Sequence, residues 1–311
     1  MTSGIRPLSV SVPSDELAGD LQPLPEGVEL MVWSMTEPAP RDRIDLVVAP
    51  YMSMHHVLSA LNGVTTELVQ GQSIGYEGVE DLLPDGYVFA NASSVHETST
   101  AELALALTLA AQRHIPEFVR AQPEGRWAPE TTASLADRRV LLLGYGGVGK
   151  AIAARLAPFE VEIVAVARTA RDEDGVRVHA MDQLPELLAT ADILIASLPG
   201  GDATRHLVDD AALSALPVGA LVVNVGRGPL IDTEALVAHV GRGRIRAALD
   251  VTDPEPLPQD HPLWTLPGVL IAPHVGGASS AMRPRIARLV KRQIERMAAG
   301  EEPLNVVIDK R

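Results

Sequence analysis

The sequence predicts an α/β protein made of two Rossmann-like, doubly wound parallel-sheet domains. Three observations predict it. Short apolar runs alternate with helix-like stretches along nearly the whole chain. The chain has 311 residues, more than one hydrophobic core serves efficiently, a limit of about 250–300 residues. One apolar run leads into a glycine-rich turn that opens a helix.

The early apolar runs are Leu8–Val12, Val28–Trp33, Leu46–Val48, Glu67–Val69 and Tyr87–Phe89, with helices expected at Ser53–Leu61 and Tyr76–Leu83. A strong helix follows at Thr98–Arg113, with Ser and Thr as its start signal. Pro116–Asp137, holding Pro123, Gly125 and Pro129, reads as a loose segment. A second strand series comes next: Val140–Leu143, Val161–Val166, Ile193–Ser197, Leu221–Val225, Ala247–Asp250 and Val269–Ala272. The end of the chain reads as a helix over Ala281–Ala299 and an extended Leu304–Ile308.

Composition narrows the function classes. The formal net charge of −14 opposes nucleic-acid phosphates and anionic lipid surfaces. Small anions stay admissible, because a few Arg side chains can reverse the field locally. With no cysteine, disulfides, thiolate catalysis and Cys-based zinc sites are excluded, and no metal site is expected. The N-terminus lacks the basic start and apolar stretch of a signal peptide, and no run of 18 apolar residues occurs. The expected setting is cytoplasmic.

The glycine turn is the most informative local feature. After Val140–Leu143 come Gly144, Tyr145, Gly146, Gly147, Val148 and Gly149, then an amphipathic helix. In a G-x-G-x-x-G turn the first glycine permits the tight bend and the second lets backbone approach a pyrophosphate. The third lets helix and strand pack closely. The helix N-terminus adds N–H groups and a positive dipole end. At the end of the following strand stand Ala167, Arg168 and Thr169. An NAD site places an acid near here, for the ribose 2′-hydroxyl. A guanidinium and a hydroxyl suit a 2′-phosphate instead, so NADP(H) is the preferred cofactor, with NAD(H) as the second choice. Asp172, Glu173 and Asp174 read as a solvated acidic loop, one member of which could reach back toward this site.

Three later strands each end in a polar residue, and in open α/β sheets ligands bind at such carboxyl ends. Arg227, between Gly226 and Gly228, can hold a carboxylate in two-point contact and polarise a neighbouring carbonyl. His274 can supply the proton that hydride reduction of a ketone requires. Glu255 is the candidate carboxylate to orient that imidazole and stabilise its charged form. Each residue alone could be structural; their placement at successive strand ends, after a dinucleotide loop, argues for a set. Asp250 is a candidate for the nicotinamide ribose or carboxamide, and Asp253 reads as exposed. Leu198, Pro199, Val225, Gly226, Gly276 and Gly277 complete the candidate cofactor contacts. His55, His56, His96 and His114 lack such a setting and read as structural or surface residues.

At this point the chain resembles the D-isomer-specific 2-hydroxyacid dehydrogenases, over nearly its whole length. The matching stretches are ETSTAELALALTLAAQR, VLLLGYGGVGKAIAARL, LVVNVGRGPLIDTEAL, AALDVTDPEPLPQDHPLW and VLIAPHVGGAS. The resemblance implies that Arg227, Glu255 and His274 are the catalytic set. Glu255 rather than Asp253 fits, because it stands five residues after Asp250 and just before a proline. It also implies a dinucleotide-binding domain over residues 99–277, inserted into a flavodoxin-like substrate domain made of 1–98 and 278–311. A homodimer is implied as well; the Ala101–Ala111 helix and the loop after it are the suspected contacts. The substrate carboxylate is expected on the backbone N–H groups of Ile74 and Gly75, with Arg227 and His274 facing the reacting carbon. Here Ser73-Ile74-Gly75-Tyr76-Glu77 replaces the family's Ser-Ala-Gly-x-Asp. Ala167–Thr169 looks like the NADP-using glyoxylate and hydroxypyruvate reductases. A small 2-oxo or 2-hydroxy acid is therefore the expected substrate. The alternatives are another small acid, such as phosphite, or a dinucleotide-sensing corepressor that does no chemistry.

Overall fold

The computed structural model describes residues 7–311. The chain runs through β1 (Leu8–Val12), α1 (Asp15–Asp20), β2 (Val28–Val32), β3 (Leu46–Val48), α2 (Met54–Val57), β4 (Leu68–Gln70), α3 (Val79–Leu82) and β5 (Val88–Ala90). It continues through α4 (Glu97–Gln112), α5 (Ile115–Ala121), β6 (Arg139–Leu143), α6 (Gly147–Leu156), β7 (Glu162–Ala167), β8 (Arg171–Glu173) and β9 (Val176–Ala180). Next come α7 (Leu184–Leu188), β10 (Ile193–Ala196), α8 (Asp210–Ala215), β11 (Leu221–Asn224), α9 (Thr233–Gly241), β12 (Arg246–Leu249) and β13 (Val269–Ile271). The last elements are α10 (Met282–Ala298) and β14 (Val306–Asp309).

Two compact units result, Met1–His96 with Ser279–Arg311, and Glu97–Ala278. Among the described residues the first unit holds a sheet of order β14-β5-β4-β3-β1-β2. The run from β5 to β2 is parallel and has the flavodoxin-like order. Only the C-terminal strand β14 pairs antiparallel, against β5. A buried amide pair fastens the returning chain: Gln293 Nε2 donates to Gln70 Oε1 at 2.8 Å and to the Leu304 carbonyl at 2.9 Å. The Leu304 N–H donates back to Gln293 Oε1 at 2.9 Å.

The second unit has the order β13-β12-β11-β10-β6-β7-β9-β8. All its pairs are parallel except β8 against β9. A parallel sheet covered on both faces needs apolar residues at every position, because successive side chains point to opposite faces. In β6, Leu141 and Leu143 enter one core while Val140 and Leu142 enter the other. The same alternation in β3 sends Leu46 and Val48 to one side and Val47 to the other. That is why these strands read as unbroken apolar runs.

The structure departs from the sequence expectations in five places. Within the supposedly loose Pro116–Asp137, residues up to Ala121 belong to α5, because Pro116 sits in the first turn, where its missing N–H costs nothing. The helix expected at Ser53–Leu61 divides into α2 and a 3-10 turn, Leu58–Leu61. The one expected at Tyr76–Leu83 shortens to α3, preceded by Gly78 at a φ of +73°. The acidic loop is a hairpin: Arg171–Glu173 pairs with Val176–Ala180 around Asp174 and Gly175, at φ +53° and +77°. Asp-Gly is the dipeptide such a turn favours. Helix α4 begins at Glu97, so Thr98, Ser99 and Thr100 lie inside its first turns rather than capping it. Its Ala101, Ala104, Leu105 and Leu107 are packed in the second unit's own core. No described helix is long and apolar enough to cross a membrane.

Candidate active site

The candidate residues of the second unit gather at the carboxyl ends of neighbouring strands. Arg227 follows β11, Asp250 and Glu255 follow β12, and His274 follows β13; these three strands lie side by side in the sheet.

The loop bearing Arg227 is shaped by Asn224, a buried residue that the sequence reading passed over. Asn224 Oδ1 accepts from the Gly226 N–H at 3.0 Å, and its Nδ2 donates to the Arg227 carbonyl at 2.9 Å. This side-chain-to-own-backbone turn is typical of Asn, so Asn-x-Gly-Arg was a readable signal. Arg227 is half-buried, and its Nη1 donates to the Gly226 carbonyl at 2.7 Å. Gly228 is required by its neighbours, since a Cβ there would lie 1.8 Å from the Thr252 carbonyl oxygen.

Thr252 leads into the Glu255 loop and braces it, donating from Oγ1 to the Pro254 carbonyl at 2.9 Å. Thr233, at the start of α9, donates to the Asp253 carbonyl at 2.8 Å. Asp253 is half-buried rather than exposed, with its carboxylate 4.0 Å from Arg205.

His274 adopts a φ of +52°, a left-handed conformation uncommon for a residue with a side chain. Its backbone N–H donates to the Asp250 carbonyl at 2.7 Å. The Asp250 carboxylate accepts from the N–H groups of Val275 at 2.7 Å and Gly276 at 2.9 Å. Both oxygens of a residue expected at the nicotinamide are thus engaged by the protein itself. Burial raises the Asp250 carboxyl above its usual range, against the opposing pull of those N–H groups.

The His274 ring then meets Glu255, with Nδ1 3.0 Å from Oε2. Since a carboxylate can only accept, Nδ1 carries the proton and Nε2 is left for proton exchange. The hydrogen bond to Glu255 raises the imidazole above its ordinary value. Burial and the positive charge of Arg227 oppose this, while the charges of Glu255 and Asp250 add to it.

The glycine loop has the shape a pyrophosphate requires. A Cβ on Gly149 would lie 2.1 Å from the Gly144 carbonyl oxygen, so only glycine lets α6 approach β6 this closely. Gly144 has φ +108° and borders Ser197 and Leu198. At Gly146 the same added atom would meet nothing within 4 Å, leaving an open cradle in front of the helix. No side chain caps that end of α6. Gly147 borders Glu97, and Val148 is half-buried against the core. These residues fit a dinucleotide. Leu198 and Gly226 close on each other, Val225 is buried at the end of β11, and Pro199 is exposed. Gly276 is buried beside Asp250 and Thr100, and Gly277 is half-buried after it.

Arg168 and Thr169 are exposed at the end of β7. Glu173 is the member of the acidic loop that reaches back, accepting from Lys150 Nζ and from Arg171 Nε. In the first unit, Ile74 and Gly75 are half-buried beyond β4, where Asn91 Nδ2 donates to the Ile74 carbonyl at 2.7 Å. His96 is buried, with Nε2 2.6 Å from the Gln72 carbonyl oxygen and its ring stacked on Tyr51; His114 pairs with Glu130. His56 is exposed, and the side chain of His55 lies outside the described residues. Among the described residues no cluster of His, Asp and Glu is placed to hold a metal ion.

Comparison with known proteins shows the family. The family model for the NAD-binding domain of D-isomer specific 2-hydroxyacid dehydrogenases matches residues 105–276. An uncharacterized protein from the proB 3′ region of Corynebacterium melassecola is 37% identical over 72% of this chain and 77% of its own length. A D-isomer specific 2-hydroxyacid dehydrogenase from Xanthobacter autotrophicus, solved with NADPH and MES, aligns at a TM-score of 0.83 with 29% identity, covering 98% of both chains. An NADPH-dependent glyoxylate/hydroxypyruvate reductase from Sinorhizobium meliloti, solved with NADP and malonate, aligns at 0.79 with 30% identity and the same coverage. With a glycine cradle at β6 and a carboxylate and an imidazole paired three and four strands away, the chain belongs to the D-isomer specific 2-hydroxyacid dehydrogenase family, the NAD(P)-dependent oxidoreductases acting on CH–OH donors.

Proposed function

We propose that the protein reduces a small 2-oxo acid, glyoxylate or hydroxypyruvate or a close relative, with NADPH as the preferred reductant. The observation that carries this reading is the His274–Glu255 hydrogen bond at 3.0 Å, with the charge of Arg227 felt at the same imidazole. An imidazole whose proton-carrying form is favoured, within the field of a guanidinium, is the pairing that carbonyl reduction next to a carboxylate requires. NADPH, when bound, supplies the hydride to C2. Arg227 holds the carboxylate and polarises the ketone. His274 passes the Nε2 proton to the oxygen as it becomes an alcohol, and Glu255 stabilises the imidazolium before that transfer and fixes the ring. The backbone N–H groups of Ile74 and Gly75 are the proposed carboxylate donors of the unit of residues 1–96 and 279–311, to which we assign the substrate role. The unit of residues 97–278 takes the dinucleotide. NADPH over NADH is supported by Arg168, which stands beside Ala167, the residue in the place of a ribose-binding acid. The NADPH and NADP held by the two solved neighbours support it too.

Following NADPH and NADH oxidation at 340 nm with glyoxylate, hydroxypyruvate, pyruvate and longer 2-oxo acids tests the proposal. Turnover confined to the shortest acids, faster with NADPH, supports it. No turnover with any 2-oxo acid overturns it in favour of another small acid or a sensing role. We also propose a homodimer, supported by an exposed apolar set after α4: Ile115, Phe118, Val119 and Trp127, the last 92% exposed. Sedimentation equilibrium at the mass of a single chain would refute that.

A further inference from the structure

We propose that Glu173 sets the strength of the preference for a 2′-phosphorylated dinucleotide, by holding Arg171 and Lys150 in competition with the phosphate. The inference rests on the NADP(H) reading given above.

Three cations border the place where β7 ends beside the glycine loop. Arg168 is exposed, and no described residue pairs with its guanidinium. Arg171 lies one hairpin strand further on. Its Nη2 donates to the carbonyl of Tyr145, inside the glycine loop, at 3.1 Å, and its Nη1 donates to the Thr169 carbonyl at 3.2 Å. Lys150 follows Gly149 on the first turn of α6. The Glu173 carboxylate bridges the last two: Oε2 accepts from Arg171 Nε at 2.8 Å, and Oε1 accepts from Lys150 Nζ. All three side chains of this bridge are partly exposed, at 37% for Arg171, 39% for Lys150 and 29% for Glu173.

The hairpin makes the bridge possible. Along β8, alternation puts Arg171 and Glu173 on one face and Asp172 on the other, where Asp172 pairs with Arg177 at 2.8 Å. The Asp174–Gly175 turn returns the chain so that β8 forms the edge of the sheet next to β9. Glu173 is therefore a carboxylate delivered by fold to the cations that border the adenosine end of the site.

The consequence is electrostatic. A 2′-phosphate carries nearly two negative charges and seeks guanidinium and ammonium donors. Arg168 is free to meet it, but Arg171 and Lys150 are already neutralised in part by Glu173, whose own charge repels the newcomer. A dinucleotide without that phosphate gains nothing from the cations and loses nothing to the carboxylate. Glu173 thus weakens NADPH and leaves NADH nearly untouched, which narrows the preference.

The test titrates the purified full chain with 2′,5′-ADP and 5′-AMP by calorimetry, and with NADPH and NADH by fluorescence. Glu173→Gln is expected to tighten 2′,5′-ADP and NADPH by about tenfold at low salt, an advantage that shrinks as salt screens it. It should leave 5′-AMP and NADH within about twofold of their starting affinities. Asp172→Asn makes the same change in net charge on the outer face of β8 and should alter neither pair. Glu173→Ala, with folding checked by circular dichroism, repeats the test without the amide. Three results overturn the inference: no gain, an equal gain for ligands with and without the phosphate, or a weaker grip on 2′,5′-ADP. The last would mean that the carboxylate braces Arg171 for phosphate binding. If Arg168→Ala loses 2′,5′-ADP selectively while Glu173→Gln gains nothing, the inference fails alone. If the wild-type chain binds 2′,5′-ADP and 5′-AMP equally and Arg168→Ala changes neither, the NADP(H) reading fails and the inference falls with it.

Discussion

The Asp250 carbonyl accepts the backbone N–H of His274 at 2.7 Å, while the Asp250 carboxylate accepts the next two N–H groups of the same loop. Asp250 therefore fixes the imidazole through the main chain and holds a left-handed backbone in place at the residue proposed to carry the proton. Asn can accept on one side-chain atom only, and its amide would face a backbone N–H. Asp250→Asn should cost about 1–3 kcal/mol of stability and lower kcat more than it raises the Kd for the cofactor. Calorimetric Tm together with steady-state kinetics checks this. Wild-type values in both would show that the loop holds itself.

The second prediction concerns pH. The hydrogen bond to Glu255 raises His274 above its ordinary value, so the imidazolium persists to higher pH than in a free histidine. Reduction consumes that proton, so kcat/KM for a 2-oxo acid should hold on the acid side and fall as pH rises through the raised value. Oxidation of the 2-hydroxy acid should show the reverse limb. The same pair stabilises the fold fully below the unfolded histidine's pKa, about 6.5, and this contribution is lost as pH climbs through the folded one. Glu255→Gln should move the reductive limb to lower pH, and His274→Ala should cut turnover by about 10²–10⁴ with dinucleotide affinity retained. An unmoved limb in Glu255→Gln would remove Glu255 from the role proposed for it.

Arg168→Ala should weaken NADPH by about 10- to 100-fold, the worth of a charge-assisted fork, and leave NADH nearly unchanged. Fluorescence titration with both cofactors reads the ratio directly. An unchanged ratio would return Arg168 to the status of a solvated strand-end residue.

Gly228 separates the loop of Arg227 from the loop of Glu255. An added Cβ would lie 1.8 Å from the Thr252 carbonyl oxygen and 2.8 Å from the Asp253 backbone nitrogen, neither of which is a flexible side-chain end. Gly228→Ala should therefore push the two loops apart, costing about 1–3 kcal/mol and most of kcat/KM. Chemical denaturation and kinetics on the same preparation check both; full activity at lowered stability would show that the loops need not stay in register.

The sequence by itself determined the α/β class, the two sheets and the glycine cradle. Each rests on interactions close along the chain: apolar alternation in a strand, the steric demand for Gly149 against Gly144, the N-terminus of the helix that follows. The Asp-Gly turn of the β8–β9 hairpin and the Asn-x-Gly turn before Arg227 were equally local and could have been read the same way. Only the tertiary structure decided what lies between distant residues. It gave Asp250 the added role of bracing the His274 loop, and it showed Glu173 to be the member of the acidic loop that reaches back, bridging Arg171 and Lys150. The physical reason is that the order β13-β12-β11 brings loops tens of residues apart within hydrogen-bond reach, and sequence spacing says nothing of which strand ends become neighbours.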